Sequence, residues 1–420
     1  MPALNSQDPD HPTPQDGPLS GVRVLDLSSV LMGPYATQIF ADLGADVIWI
    51  EEQSGDRNRA MGPGPTTEMS GVSMNLLRNK RSVCLDLKHP EGRDACLRIA
   101  GTCDVFLTNL RPGPRQRLLL DYEQVRSVRP DIIYCQAAGY ASDSVHAEEP
   151  AYDDIIQATS GICDDYLLRS GIPEFSPYVV ADKVAGLTIA WAVLAALFHR
   201  GRTGEGQLVE VPMTDAITAF NLVEHGNAAI AEPSQGPAGY GRVVTPTRRP
   251  KQTSDGWIAV VPYSRESYEA IFREGGRNDL IGDGRLSSRR ALNANANTLY
   301  TDVEDIIRTR TTAEWLEFCR SASIPASPIR TLQEVVGELP LVDHPTAGSY
   351  RMIPSPARFS RTPTRIRRHA DGVGEHTDDV LAEVGFSGAE IEALHQRGAA
   401  PRPSNPLNPT RTAPHPEEHT

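Results

Sequence analysis

The chain has 420 residues, a length that points to two domains rather than one compact core. Hydrophobic residues make up 39%, enough for a large buried core, and 34 Gly with 34 Pro imply frequent turns without a collagen-like or fully disordered chain. Lys and Arg number 41 against 54 acidic residues, a net charge of −13; that argues against a general nucleic-acid binder and leaves room for a local basic pocket holding an anion.

Residues 1–17 are polar and Pro-rich, with neither a basic nor an apolar leader region, so a disordered tail and no signal peptide are expected. From Gly21 the chain alternates. Val22–Leu27 reads as a strand, and Pro34–Gly44 as a helix with Pro near its start and Gly at its end. Asp46–Glu51, Ser82–Lys88 and Asp104–Thr108 read as further strands, with a helix over Pro90–Ala100. A helix over Pro114–Val128 and a strand over Asp131–Cys135 follow. Strands alternating with helices imply an α/β fold on a mostly parallel sheet.

Residues 153–162 and 183–199 read as helices, the second apolar nearly all round and therefore buried. Its apolar run, Val184–Phe198, falls short of the roughly 18–20 residues of a bilayer span, so no membrane association and a cytoplasmic location are expected. Gln207–Val211 is another strand. The stretch 229–254 is a Gly/Pro-rich linker, and a second unit starts at Asp255-Gly-Trp257. It continues with helices near 265–275, 301–309 and 312–322. Short helices at Thr377–Val384 and Gly388–Arg397 precede a loose tail at 400–420. The expected organisation is a large domain over 18–228, the linker, a small domain over 255–335, and a return to the large domain over 336–399.

Several motifs bear on chemistry. The turn Ser28–Pro34 lacks G-x-G-x-x-G, so an ordinary crossover is favoured over a dinucleotide site, although Gly33 would admit a close backbone and Glu51 would be the ribose acid. Six scattered cysteines form no C-x-x-C pair and read as core thiols, and the histidines show no metal-ligand spacing, so no metal is expected. Asn79–Lys88 and Asn109–Arg117 each carry three basic residues. They read either as solvated faces or as a phosphate pocket at the carboxyl ends of neighbouring strands. Asp182 precedes the apolar helix. It reads either as an N-cap or as a carboxylate nucleophile held ionised beside an apolar pocket, with Gly186 allowing close approach.

These segments, in order, resemble the type III CoA-transferases, the family of formyl-CoA transferase and L-carnitine CoA-transferase. The likeness runs from about Leu19 to Ala399. It rests on Leu19–Leu27, Gly33-Pro34, Leu43–Ile48, Asn79–Ser82, Leu85–Lys88, Asn109 with Arg111-Pro-Gly113, Tyr152-Asp153, Ala181–Gly186, Thr203–Gln207, Asp255–Trp257 and Gly374–Asp378.

The resemblance implies a Rossmann-like large domain with an inserted smaller α+β domain, in an interlocked homodimer. It makes Asp182 the catalytic residue, passing through an acyl–aspartyl anhydride and an aspartyl-CoA thioester. It places CoA-binding contacts at Leu31, Met32, Leu85, Asp86, Leu87, Lys88, Asn109, Leu110, Arg111, Arg117, Tyr152 and Asp153. Partners would be an acyl-CoA and a carboxylic acid, with CoA thioesters as substrates and no permanently bound cofactor.

Leu31 stands where formyl-CoA transferase has Gln, and Glu52 where it has an Arg near the adenine. Its Gly-rich loop over the active site has only 235–241 as a counterpart here. The lost amide argues against formyl-CoA and oxalate and for a less polar acyl pocket. An α-methylacyl-CoA racemase is the alternative, but its catalytic His falls at Tyr152, a poor base near neutral pH. A non-catalytic CoA-binding protein is a further alternative, against which the retained Asp182 stands.

Overall fold

A computed structural model describes residues 17–66 and 69–402. The tails expected at 1–17 and 400–420 lie outside the described residues, except for Gly17 and residues 400–402. Both Gly17 and Ala400 are buried.

The elements in chain order are β1 (Arg23–Asp26), α1 (Met32–Asp42), β2 (Asp46–Glu51), α2 (Gly71–Leu76), β3 (Lys80–Cys84), α3 (Pro90–Ala100), β4 (Val105–Thr108), α4 (Pro112–Arg117), α5 (Tyr122–Val128) and β5 (Ile133–Ala138). They continue with α6 (Asp153–Thr159), α7 (Ile162–Ser170), α8 (Val180–Thr203), β6 (Leu208–Pro212) and α9 (Met213–His225). The six strands form one sheet in the order β3-β2-β1-β4-β5-β6, and every neighbouring pair is parallel. The inner strands are buried along their length, as sheets covered on both faces require.

The chain divides into two compact units. The first holds the sheet and comprises residues up to 156, 178–217 and 339 onward. Its core gathers Leu25, Ile48, Val83, Ile99, Phe106 and Tyr134 from the sheet side with Val380, Leu381, Ile391 and Leu394 from the C-terminal helices Thr377–Glu383 and Gly388–Gln396. The second unit comprises 157–177 and 218–338, so 157–177 and 218–228 lie apart from the unit to which the sequence boundaries assigned them. It has a three-stranded antiparallel sheet (Lys251–Gln252, Trp257–Val260, Ala326–Pro328) and a core around Ile258, Phe272, Leu299, Val303 and Trp315.

Two predicted elements change for identifiable reasons. The helix expected over 114–128 breaks into α4 and α5. Leu119 adopts a left-handed φ of 52°, and Asp121 then caps α5 by accepting the N–H groups of Glu123 and Gln124. Helix α1 begins two residues before Pro34, because a proline in the first turn lacks only an N–H that the helix does not use.

Helix α8 runs 24 residues, well beyond the Val184–Phe198 run, and by length and composition is long and apolar enough to cross a membrane. Ala181, Ala185, Ile189, Val193 and Ala196 form its buried face, while Leu187, Trp191 and Phe198 are exposed.

Candidate active site

In an open parallel sheet, ligands bind beyond the carboxyl ends of the strands where the strand order reverses. Here that point lies between β1 and β4. The loops leaving these two strands meet there. The Asn109 side chain accepts the Ser29 N–H at 3.1 Å and donates to the Ser29 carbonyl at 2.9 Å. The β1–α1 loop is fastened elsewhere too. Ser28 donates its N–H to Asp26 at 2.9 Å, and the Trp49 indole donates to the Ser28 carbonyl at 2.9 Å.

Val30 has a φ of 67°. That is an outlier for a β-branched residue and costs of order 1–3 kcal/mol. Both carboxylate oxygens of Asp56 accept its N–H at 3.2 Å, and the Asn58 amide donates to its carbonyl at 3.3 Å. Burial pushes the Asp56 carboxyl up, against the N–H bonds from Asn58 and Val30 that favour its anion.

The loop delivers the N-terminus of α1 to Asp182. Asp182 is not an N-cap: Val179 occupies that position, and Asp182 is the third residue of α8. Its carboxylate faces the backbone N–H of Met32, at the start of a different helix, which favours its charged form, and its own N–H donates to Asp153 Oδ1 at 2.9 Å. Burial, and second the charge of Asp153, push the Asp182 carboxyl up to about 7; the Met32 N–H opposes them. Burial therefore works against the ionised state expected of this group.

Helices α1 and α8 touch closely at Gly186. A Cβ there would lie 2.8 Å from the Met32 carbonyl oxygen and 2.9 Å from the Tyr35 ring. Gly33 has a different reason: its Cβ would meet the Ser28 hydroxyl at 2.1 Å, so it serves the loop's own packing.

Beneath the loop, Asp26 and Lys80 are both fully buried, 3.6 Å apart. Lys80 also donates to the Pro34 carbonyl and the Thr37 hydroxyl, each at 2.8 Å. Burial, only partly opposed by Asp26, pushes its ammonium down to about 8. Arg81 is paired with Asp46 and Glu383. Neither reading holds for Lys80, which is internal; Arg81 is half-buried and already held by two carboxylates.

The other sequence-predicted residues are distributed as follows. Leu31 is buried and packs with Trp49, Leu76 and Leu77. Met32 is 4% exposed. Leu85 is buried at the end of β3, Leu87 is half-buried, and Asp86 and Lys88 are exposed. The Asp86 N–H is fixed to the Ala399 carbonyl at 3.0 Å. The Leu110 N–H donates to the Thr108 hydroxyl, and the Arg111 guanidinium donates to the Glu148 carbonyl at 2.6 Å. Arg115 is buried. Among the described residues, Lys88, Arg111 and Arg117 are exposed and have no ion-pair partner; Arg111 is held by the Glu148 carbonyl, which leaves Lys88 and Arg117 the freer basic groups of the two segments.

Tyr152 is 58% exposed and accepts a hydrogen bond from Arg57 at 3.1 Å, whereas Asp153 is buried. The structure thus joins Asp153 to Asp182, sets the Met32 N–H facing Asp182, and places Asn109–Arg111 across the loop. It leaves Leu85–Lys88 two strands away on the same sheet edge, about 10 Å at the usual strand spacing. Sequence reasoning missed Asp56 and Asn58. The available signal was an Asp opening a short turn, Arg57–Ala60, whose Asn58 N–H it caps.

A buried carboxylate beside a helix N-terminus and a second carboxylate, at the ligand-binding edge of a parallel sheet, has the chemistry of a nucleophile. The sequence profile of CoA-transferase family III matches residues 19–377. A succinate–glutarate CoA-transferase of Agrobacterium fabrum is 32% identical over 391 residues, covering 87% of this chain and 96% of that one. A probable fatty acyl-CoA transferase of Mycobacterium tuberculosis is 31% identical over 386 residues, covering 87% and 98%. Among solved structures, a CAIB/BAIF family protein from Brucella suis superposes with a TM-score of 0.74 at 27% identity, covering 88% of this chain and 100% of that one.

The chain belongs to CoA-transferase family III. It is an enzyme, a CoA-transferase acting on CoA thioesters.

Proposed function

We propose that the enzyme moves CoA from an acyl-CoA to a carboxylic acid through covalent intermediates on Asp182. The observation that carries this reading is the Asp182 carboxylate, buried where α8 packs on the first turn of α1, facing the Met32 N–H and pushed up to about 7.

The ionised carboxylate attacks the donor thioester carbonyl, forming an acyl–aspartyl anhydride and releasing CoA thiolate. The thiolate attacks the aspartyl carbonyl, giving an aspartyl-CoA thioester and the donor's free acid. The acceptor carboxylate attacks that thioester, forming a second anhydride and thiolate. The thiolate then takes the acceptor's acyl group and regenerates Asp182. The Met32 N–H is suited to stabilise oxyanions along this path, where removing one such donor costs about 10²–10³ in rate.

Contacts to CoA fall on Leu31 and Met32, Leu85–Lys88, Asn109–Arg111, Arg117 and Tyr152-Asp153. The unpaired Lys88 and Arg117 suit phosphate groups. The strand order 3-2-1-4-5-6 supports a Rossmann-like description of the large domain. Apolar side chains around the loop, among them Tyr35 and Val179, support a donor acyl group of apolar body; activity confined to oxalate or another small dicarboxylate overturns this.

The second unit is read as an inserted domain. The exposed stripe Leu187, Trp191 and Phe198 on α8 supports an interlocked homodimer. A monomer by light scattering at micromolar concentration contradicts it. A cytoplasmic location belongs to the same reading.

Intact-mass spectrometry after incubation with a panel of acyl-CoAs, with borohydride or hydroxylamine trapping, tests the mechanism. An adduct on Asp182 is expected, lost in Asp182→Ala while the fold is kept. Near-normal turnover of Asp182→Ala removes the covalent route. Deuterium entering the α-carbon without any adduct points instead to a racemase.

A further inference from the structure

We propose that Asp56 is a positioning residue for Asp182: its carboxylate clamps Val30 in a left-handed conformation, and this aims the Met32 N–H at the nucleophile. The proposal rests on the covalent role given to Asp182 above.

Val30 stands alone in the loop in having a conformation that its own side chain opposes. Something must hold it. Asp56 receives its N–H on both oxygens, and Asn58 donates to its carbonyl. Asp56 is itself braced. It accepts the Asn58 N–H at 2.9 Å, and its own N–H donates to Glu51 at 3.1 Å. Glu51 in turn is buried in a two-pronged pair with Arg59 at 2.9 and 2.7 Å. The clamp therefore has a rigid base, and a single residue, Leu31, separates Val30 from Met32, whose N–H faces Asp182.

Releasing Val30 lets it return to an ordinary φ. The chain direction at Leu31 then turns, and the Met32 N–H leaves the Asp182 carboxylate. No contact of Asp56 with substrate is required. The effect falls first on the rate of the covalent step, and on acyl-CoA binding only through the shift of Leu31 and Met32.

The test uses full-length Asp56→Ala, Asp56→Asn and Asp56→Ala/Val30→Gly. Glycine adopts a positive φ without help, so it replaces the clamp rather than the carboxylate. Turnover is followed with the acyl-CoA that labels Asp182, and amide exchange by mass spectrometry over residues 27–35 without substrate. Asp56→Ala is expected to lower kcat ~100-fold while KM for acyl-CoA changes far less, and to speed exchange at the start of α1. The double variant is expected to recover about tenfold or more of kcat, with slowed exchange. Asp56→Asn, which keeps one acceptor oxygen, is expected to lie between and to serve if Asp56→Ala fails to fold.

Unchanged kcat in both Asp56 variants, or a loss that Val30→Gly does not relieve, overturns the proposal. If no acyl-CoA labels Asp182, the covalent reading fails separately. The clamp is then decided by exchange alone, and unchanged exchange in the Asp56 variants overturns it.

Discussion

The Asp153 carboxylate accepts the main-chain N–H of Asp182 at 2.9 Å, so the group that secures the first turn of α8 also sets a negative charge beside the candidate nucleophile. One contact therefore has two opposed effects. It fixes the backbone that carries Asp182 and makes ionisation of Asp182 harder.

That opposition predicts a pH profile. The attacking species is the carboxylate, so acyl labelling of Asp182 should rise with pH and level off above about 7. Asp153→Asn removes the charge and keeps an acceptor for the N–H. Its profile should move to lower pH. Labelling rates measured from pH 5.5 to 8.5 check both, and a profile independent of pH in the wild type contradicts the assignment.

Asp182 should also limit stability at neutral and alkaline pH. Its folded pKa lies above the unfolded value of 3.8. Stability therefore declines as pH rises from 3.8 toward about 7 and stays at the lower level beyond. Asp182→Asn should melt a few degrees higher than the wild type at pH 8, with the difference shrinking toward pH 4. Melting curves across that range decide it; a wild type more stable than the variant at pH 8 runs against the burial argument.

Gly186→Ala sets two effects against each other. Alanine favours a helix interior by about 1 kcal/mol over glycine. The added methyl, however, meets the Met32 carbonyl and the Tyr35 ring at under 3 Å, and the gap between α1 and α8 is not free to widen without moving the Met32 N–H. The variant should be less active by at least ~10-fold and no more stable. A stabilised and fully active variant shows that the helices separate without consequence.

Lys88→Ala and Arg117→Ala should each raise KM for acyl-CoA about tenfold while leaving kcat nearly unchanged, as lost charge-assisted bonds to phosphate do. Their effects should fade with added salt. Steady-state kinetics at two ionic strengths check this, and a drop in kcat alone places these residues outside the phosphate site.

Much of the fold was legible because it is carried by local patterns. β2 and α3 fall at their expected limits, one as a buried apolar run and the other opened by Pro90. Asp182 was conspicuous because a charge just before a long apolar helix is rare without cause. What stayed hidden depends on partners distant in sequence. Lys80 looks like surface charge until Asp26 is set beside it, and Arg81 until Asp46 and Glu383 are. The side chain of Leu31 gives no sign that Trp49, Leu76 and Leu77 enclose it. Valine gives no local signal of a positive φ at all, so the strain at Val30 and the role of Asp56 emerge only in three dimensions.

The loop between β1 and α1 has one more consequence, in time rather than space. Ser29 leaves the ribosome 80 residues before Asn109, the side chain that ties down both its backbone groups. Asp56 and Asn58 emerge between them, and Asp182 later still. The reactive centre thus cannot form on the nascent chain until the sheet's middle strands have paired, and a half-made protein is an unarmed one.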